Sequence, residues 1–161
     1  MSSELSALDI VLEVPVAAPR DVVWRSLVDQ VGEWWPKQFY VGTAPKRFRI
    51  EPRVGGLVWE DWGDGEGIVF AQIVTFHREH RLQWAGDMSA EYGGPARSVT
   101  TFTLTPSDEG TLVTFRDTPF GALSEMARKG LAEGWRFLLD TCFKPWVETG
   151  ARPERPSTLE V

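Results

Sequence analysis

The sequence predicts an α+β fold in which a curved antiparallel sheet of about six to seven strands wraps around one long C-terminal helix. Two observations support this prediction. Residues 46–118 form a run of strand patterns separated by short turns rich in Gly, Pro and Asp, which favours an antiparallel meander. Residues 122–148 then repeat apolar side chains at three- and four-residue steps, which indicates an amphipathic helix that covers the apolar face of the sheet.

The other elements follow from local patterns. Residues 8–16 alternate apolar and polar side chains and predict a first strand, with Pro15 on its outer face. Two short helices come next, the first beginning near Pro19 and the second ending at Pro36. Pro145 should kink or end the last turn of the long helix. The strands that the turns delimit lie near 46–51, 56–62, 67–76, 80–86, 97–105 and 110–117.

Length and composition predict one domain over residues 1–149, followed by a loose, Pro-rich tail over 150–161. A net charge of -6 without a long basic run argues against a nucleic-acid partner. The single cysteine, Cys142, cannot form an internal disulfide, which fits a reducing compartment. The N-terminus lacks a basic region and carries acids in its apolar part, so neither a signal peptide nor a membrane span is expected. We therefore expect a cytoplasmic protein.

An ordered set of short stretches runs along the chain: VGEWWP at 31–36, IEPRVGG and WE within 50–60, HRLQW at 80–84, Gly110–Thr111 and Gly134–Trp135. Together they resemble the bacterial homologues of the heat-shock-protein-90 ATPase activator. That family belongs to the START-like, or SRPBCC, superfamily, which has the helix-grip fold of the birch-pollen allergen. The resemblance covers roughly residues 8–148 and implies a cavity between sheet and helix. This sequence differs from many relatives at position 117, where it has Asp117 and they carry His.

The Gly-rich stretch EPRVGGLVWEDWGDGEG at 51–67 is best explained as a sheet bend followed by a hairpin turn. A phosphate-binding loop would need a Lys and a following helix, and neither is present. A calcium loop built on Asp61, Asp64 and Glu66 would lack its twelfth-position Glu. His77 and His80 lie in or beside one turn without further ligands at metal-binding spacing, so no metal or other cofactor is expected.

Glu60 matches the Glu of the family's "GG…E" stretch and allows two interpretations. Strand alternation places it on the face of Val58 and Trp62, where its carboxylate would be a polar group inside the cavity. The commoner arrangement is an ion pair on the outer face of the sheet, with Arg53, Arg78 or Arg116 as the partner.

Gly130 and Gly134 share one face of the long helix, which indicates either close packing on the sheet or room for a ligand. Strand alternation and helical spacing supply the side chains around that gap, with Glu60 as the polar candidate. The default interpretation of such an aromatic and Met-containing stripe is a packed core. The candidate ligand-binding residues are Trp35, Glu60, Trp84, Phe102, Phe115, Met126 and Trp135.

Three functions agree with this reading of the sequence. The first is binding of a small hydrophobic or aromatic molecule in the cavity. The second, implied by the resemblance, is a co-chaperone-type interaction module, although the activator's separate chaperone-binding domain has no counterpart in this chain. The third is a cyclase-like enzyme; its acid–base groups would come from Glu60, Asp117, Arg116 or Tyr92, and these form no matched pair. A homodimer that buries Trp side chains is also compatible with the composition.

Overall fold

The computed structural model describes residues 4–160 and has the predicted α+β helix-grip architecture. The helices are α1 (Arg20–Val28), α2 (Val31–Trp34), α3 (Glu125–Arg136) and α4 (Lys144–Thr149), with a π-helical segment at Phe137–Phe143 and 3-10 turns at Lys37–Phe39 and Ala90–Tyr92. The strands are β1 (Ser6–Ala7), β2 (Ile10–Val16), β3 (Arg47–Ile50), β4 (Leu57–Gly63), β5 (Glu66–His77), β6 (Arg81–Met88), β7 (Ala96–Ser107), β8 (Gly110–Asp117) and β9 (Phe120–Gly121).

The described strands form one antiparallel sheet of nine strands. Its main order is β2-β8-β7-β6-β5-β4-β3, and every neighbouring pair is antiparallel. The two-residue strands β1 and β9 pair with each other, and β9 also pairs with the start of β7. These two strands were not predicted, because two residues are too few to show an alternating pattern.

The hairpin between β4 and β5 confirms the prediction for the Gly-rich stretch. Asp64 and Gly65 are its two central residues, with φ of 55° and 80°. Gly63 and Glu66 pair across the turn. Two residues with positive φ between paired strands are typical of a type I′ turn, whose twist matches that of the sheet. Gly55 also has a positive φ, and a register shift between β4 and β5 follows at Val58 and Trp59, as expected for a bend in the sheet.

The C-terminal helix runs continuously from α3 through the π-helical segment into α4. Pro145 does not end this helix, so the expectation that the helix could end there is wrong. Proline lacks an N–H and its ring clashes with the carbonyl four residues earlier. The wider π-helical turns just before Pro145 let the chain accommodate it at the start of α4. None of the described helices is long and apolar enough to cross a bilayer.

The two halves of this helix are buried to different extents. In the π-helical segment, Leu138, Leu139, Cys142 and Phe143 are buried against the sheet and α2. In α3, only Ala127 is buried. Burial raises the pKa of the Cys142 thiol to about 11, as expected for an inert core cysteine. The N-terminal half of the helix is therefore the less covered half.

Residues 150–160 are docked on the domain, so the expectation of a loose tail is wrong over this range. The backbone N–H of Lys37 donates to the carbonyl of Glu154 at 2.8 Å. Near the end of the tail, the N–H of Glu160 donates to the carbonyl of Lys46 at 2.9 Å. The Pro-rich, polar composition of the tail correctly indicates that it forms no helix or strand. It does not reveal docking, because hydrogen bonds to distant segments leave no local sequence signal.

Candidate functional site

Four aromatic side chains fill the space between the centre of the sheet and the C-terminal helix. Trp84, Phe102 and Phe115 come from β6, β7 and β8, and Trp135 comes from α3. Trp135 lies 4.6 Å from Phe115 and 6.5 Å from Trp84, centroid to centroid. Phe102 lies 5.1 Å from Trp84 and 5.2 Å from Phe115. We call these four residues the inner cluster; they occupy the position where the sequence predicts a cavity wall.

Asp117 attaches the helix to the sheet beside the inner cluster. The hydroxyls of Ser98 and Thr100 donate to its Oδ1 at 2.5 and 2.8 Å, and the indole N–H of Trp135 donates to Oδ2 at 3.2 Å. Burial raises the pKa of the Asp117 carboxyl, and these donors oppose the rise. Trp135 is therefore held by a carboxylate as well as by ring packing.

A second aromatic group is carried by the segment that follows α2, residues 35–43, which we call the lid. Trp35 stacks on Phe48 of β3 with 4.1 Å between centroids. Phe39 lies 6.2 Å from Trp35 and 6.1 Å from Phe137 of the C-terminal helix. Tyr40 meets Phe48 edge-on at 6.1 Å. The lid therefore spans from the edge of the sheet to the helix.

Glu60 holds the lid in place from inside the protein. Its side chain is completely buried on the concave face of β4. The backbone N–H of Val41 donates to Oε2 at 2.8 Å, and that of Gly42 donates to Oε1 at 2.6 Å. The indole N–H of Trp62 also donates to Oε1, at 2.8 Å. A carboxylate can be buried at acceptable cost when several donors surround it in this way.

The favoured sequence interpretation of Glu60, an ion pair on the outer face of the sheet, is wrong. Arg53 instead pairs with Glu51, and Arg116 with Asp9. Strand alternation correctly placed Glu60 on the face of Val58, but the partners of its carboxylate are backbone amides of the lid.

Six half-buried apolar side chains of the lid, the sheet and the helix pack against the core. We call this set the aromatic mouth: Phe39, Tyr40, Phe70, Leu131, Trp135 and Phe137. Lid and helix meet closely here, because a Cβ on Gly134 would lie 3.8 Å from the ring of Phe39. Phe70 reaches the same region from β5, stacked 5.8 Å from Phe48. The mouth shares Trp135 with the inner cluster, and its half-buried side chains present some apolar surface to solvent.

Two polar atoms in the lid are buried without a hydrogen-bond partner among the described residues, the indole Nε1 of Trp35 and the hydroxyl of Tyr40. Burial raises the pKa of Tyr40, the charge of Glu60 raises it further, and Arg155 opposes both. Such unpaired buried donors are uncommon in native proteins and call for a specific explanation.

The remaining candidates lie away from this region. Met126 is 82 % exposed and does not join the group, because the start of α3 is not covered by other elements. A Cβ on Gly130 would have no heavy atom within 4 Å, so this glycine does not serve close packing on the sheet. His77 and His80 stack on each other at 4.4 Å at the β5–β6 turn. Tyr92 is 44 % exposed.

Two clefts open elsewhere on the described surface. One, of about 530 Å³, lies between the start of β3, the α1–α2 connection and the docked tail, with Glu33, Phe48 and Arg155 in its lining. The other, of about 290 Å³, lies on the outer face of the sheet around Gln83 and Thr101. Neither lies between the sheet and α3.

Sequence reasoning brought together the four residues of the inner cluster and placed Trp35 in the lid, but it missed Phe39, Tyr40, Phe70 and Phe137. The lid aromatics follow Pro36 in a segment too short to show a period. A register shift between β4 and β5 leaves Phe70 without a partner on β4, between Val69 and Ala71, and breaks the alternation from which it could have been assigned. The adjacent aromatic pair Phe39–Tyr40 was the available signal.

Comparison with known proteins agrees with this architecture. Similar solved structures include the Mll3558 protein of Rhizobium loti, with a TM-score of 0.65 and 24% identity over 85% of this chain and 95% of that one. An uncharacterized protein from Rhizobium leguminosarum has a TM-score of 0.66 and 18% identity over 89% and 96% of the two chains. DynU16, from the dynemicin biosynthetic locus, has a TM-score of 0.63 and 24% identity; the match covers 94% of this chain and 51% of DynU16.

At these identities the likeness concerns the fold alone. A comparison with curated proteins finds no match. The family described as Activator of Hsp90 ATPase homolog 1-like protein matches over residues 17–142, which is most of the chain. The chain belongs to the Activator of Hsp90 ATPase homolog 1-like family.

Proposed function

We propose that the protein binds a small hydrophobic or aromatic molecule at the aromatic mouth. The observation that carries the proposal is the set of half-buried apolar side chains that the lid, the sheet and the helix each contribute outside the fully buried core. Phe39 and Tyr40 come from the lid, Phe70 from the sheet, and Leu131, Trp135 and Phe137 from the helix. Concave sites lined by apolar and aromatic side chains are the usual form of small-molecule sites.

The walls of the mouth are fixed to the sheet by two buried carboxylates. Glu60 holds the lid through Val41 and Gly42, and Asp117 holds the helix through Trp135. Preformed walls reduce the ordering cost that a ligand must overcome when it binds. This arrangement supports a site that exists before the ligand arrives.

Indane is a suitable first probe, because it is rigid, apolar and sparingly but sufficiently soluble. At roughly 0.5 kcal/mol per non-hydrogen atom, a molecule of about nine such atoms gains roughly 4–5 kcal/mol. That free energy corresponds to a dissociation constant of the order of hundreds of micromolar. The binding should be measurable by protein-detected NMR titration.

The test compares the wild type with two matched variants that each introduce one Glu. Leu131→Glu places a charge in the mouth, and Val69→Glu places the same charge at an exposed position on β5. We expect Leu131→Glu to weaken indane binding at least tenfold and Val69→Glu to change it less than twofold. Absence of binding by the wild type, or equal effects of the two variants, would contradict the proposal.

A further inference from the structure

The two unpaired donors of the lid lie next to the same side chain. Trp35 stacks on Phe48, and Tyr40 contacts the edge of that ring. Trp35 is 9 % exposed, so water has little access to its indole. Neither the indole N–H nor the Tyr40 hydroxyl has a partner among the described residues. A buried donor left unpaired is costly, so a bound acceptor would remove a penalty that the unliganded protein bears.

The charge of the surroundings restricts what that acceptor can be. Glu60 and Arg155 act on the Tyr40 hydroxyl in opposite directions, and the effect of Glu60 is the larger. The carboxylate of Glu60 is therefore the stronger of these two charges at the Tyr40 hydroxyl. An anionic ligand group would be repelled and would also lose its hydration, whereas a neutral carbonyl avoids both costs.

We propose that the ligand of the aromatic mouth carries a neutral acceptor oxygen, of the ketone or ester carbonyl class, that accepts hydrogen bonds from the Tyr40 hydroxyl and the Trp35 indole. This inference rests on the proposed function, because the same mouth supplies the apolar contacts. It adds the chemical class that would distinguish one apolar molecule from another, since a site built to pair with an oxygen discriminates against analogues that lack it.

The experiment uses 1-indanone and indane, two rigid bicyclic probes that differ in one carbonyl, with wild type and Tyr40→Phe. The variant removes one hydroxyl and keeps the ring. Loss of one hydrogen bond between neutral groups corresponds to about a fivefold change in affinity. We expect Tyr40→Phe to weaken 1-indanone binding about fivefold and to change indane binding less than twofold.

A second measurement keeps the inference testable if Tyr40→Phe perturbs the fold. In the wild type, both probes should shift the indole proton resonance of Trp35, but only 1-indanone should shift it downfield, as a new hydrogen bond does. Equal effects of Tyr40→Phe on both probes, or the same Trp35 response to both, would overturn the inference and leave the mouth as a general apolar site. Failure of both probes to bind would overturn the proposed function as well.

Discussion

Glu60→Gln is the change that most directly tests how the lid is held. In the wild type, Oε1 accepts from Gly42 N and Trp62 Nε1, and Oε2 accepts from Val41 N. A glutamine amide can keep its oxygen at the first position and preserve two of these bonds. Its NH₂ group then faces the N–H of Val41, so two donors meet and one bond is lost.

The expected loss follows from the strength of these bonds. A hydrogen bond to a charged group contributes about 1.5–3 kcal/mol, and a neutral one about 1 kcal/mol. Losing one charged bond and weakening two others is partly offset because a neutral amide is easier to bury than a carboxylate. We therefore expect Glu60→Gln to lower the free energy of unfolding by about 2–3 kcal/mol.

Urea denaturation followed by Trp fluorescence measures this change, with an unchanged m-value expected. Amide hydrogen exchange at Val41 and Gly42 should accelerate in the variant, because the lid loses its internal anchor. Glu66→Gln, an exposed acid of the β4–β5 hairpin, is the control and should alter stability by less than about 0.5 kcal/mol. If Glu60→Gln lowers the free energy of unfolding no more than Glu66→Gln does, the proposed role of Glu60 in holding the lid is refuted.

The remaining predictions concern the helix and its attachment. Because burial raises the pKa of Asp117 above 3.8, its folded state binds a proton more tightly than the unfolded state, so its contribution to stability falls as pH rises above about 4. Asp117→Asn should remove this dependence. In urea denaturation across pH 4–7, the free energy of unfolding of the wild type should fall relative to that of the variant as pH rises; a fall of the variant relative to the wild type would contradict the predicted direction. Cys142 should react with a thiol reagent at pH 8 only upon unfolding, because its thiol is buried with a pKa of about 11; rapid labelling of the folded protein would count against this. Gly130→Ala should raise the free energy of unfolding by roughly 1 kcal/mol, since its methyl group would meet no neighbour; denaturation that shows a loss would mean that Gly130 has a packing role.

The fold could be predicted largely from the sequence because its determinants are local. The Asp64–Gly65 turn adopts the two positive φ angles that its residue types favour, and it pairs the strands on either side. The C-terminal helix follows from its apolar repeat. The same local signals could not show that α3 is only lightly covered, so Met126 was expected in the site and lies in solvent.

The site was harder to predict because it depends on contacts between distant parts of the chain. Phe39 of the lid meets Phe137 of the helix, and only the folded chain brings them together. Glu60 was assigned to the correct face in one of two interpretations, but its backbone partners in the lid carry no side-chain signature. Local periodicity indicates the face of the sheet on which a residue lies, and not which segment of the chain covers that face.

Ligand binding at the aromatic mouth is tested most directly by the indole N–H resonances of the Trp side chains in a ¹H–¹⁵N NMR titration with indane. Trp135 is part of the mouth, and Trp35 packs against Phe39 and Phe48 beside it. Trp59 lies on the opposite face of β4 and is the internal control. We predict that the Trp35 and Trp135 signals move together with one dissociation constant while Trp59 stays in place. Unchanged Trp35 and Trp135 signals up to saturating indane, or a response confined to Trp59, would contradict binding at the mouth.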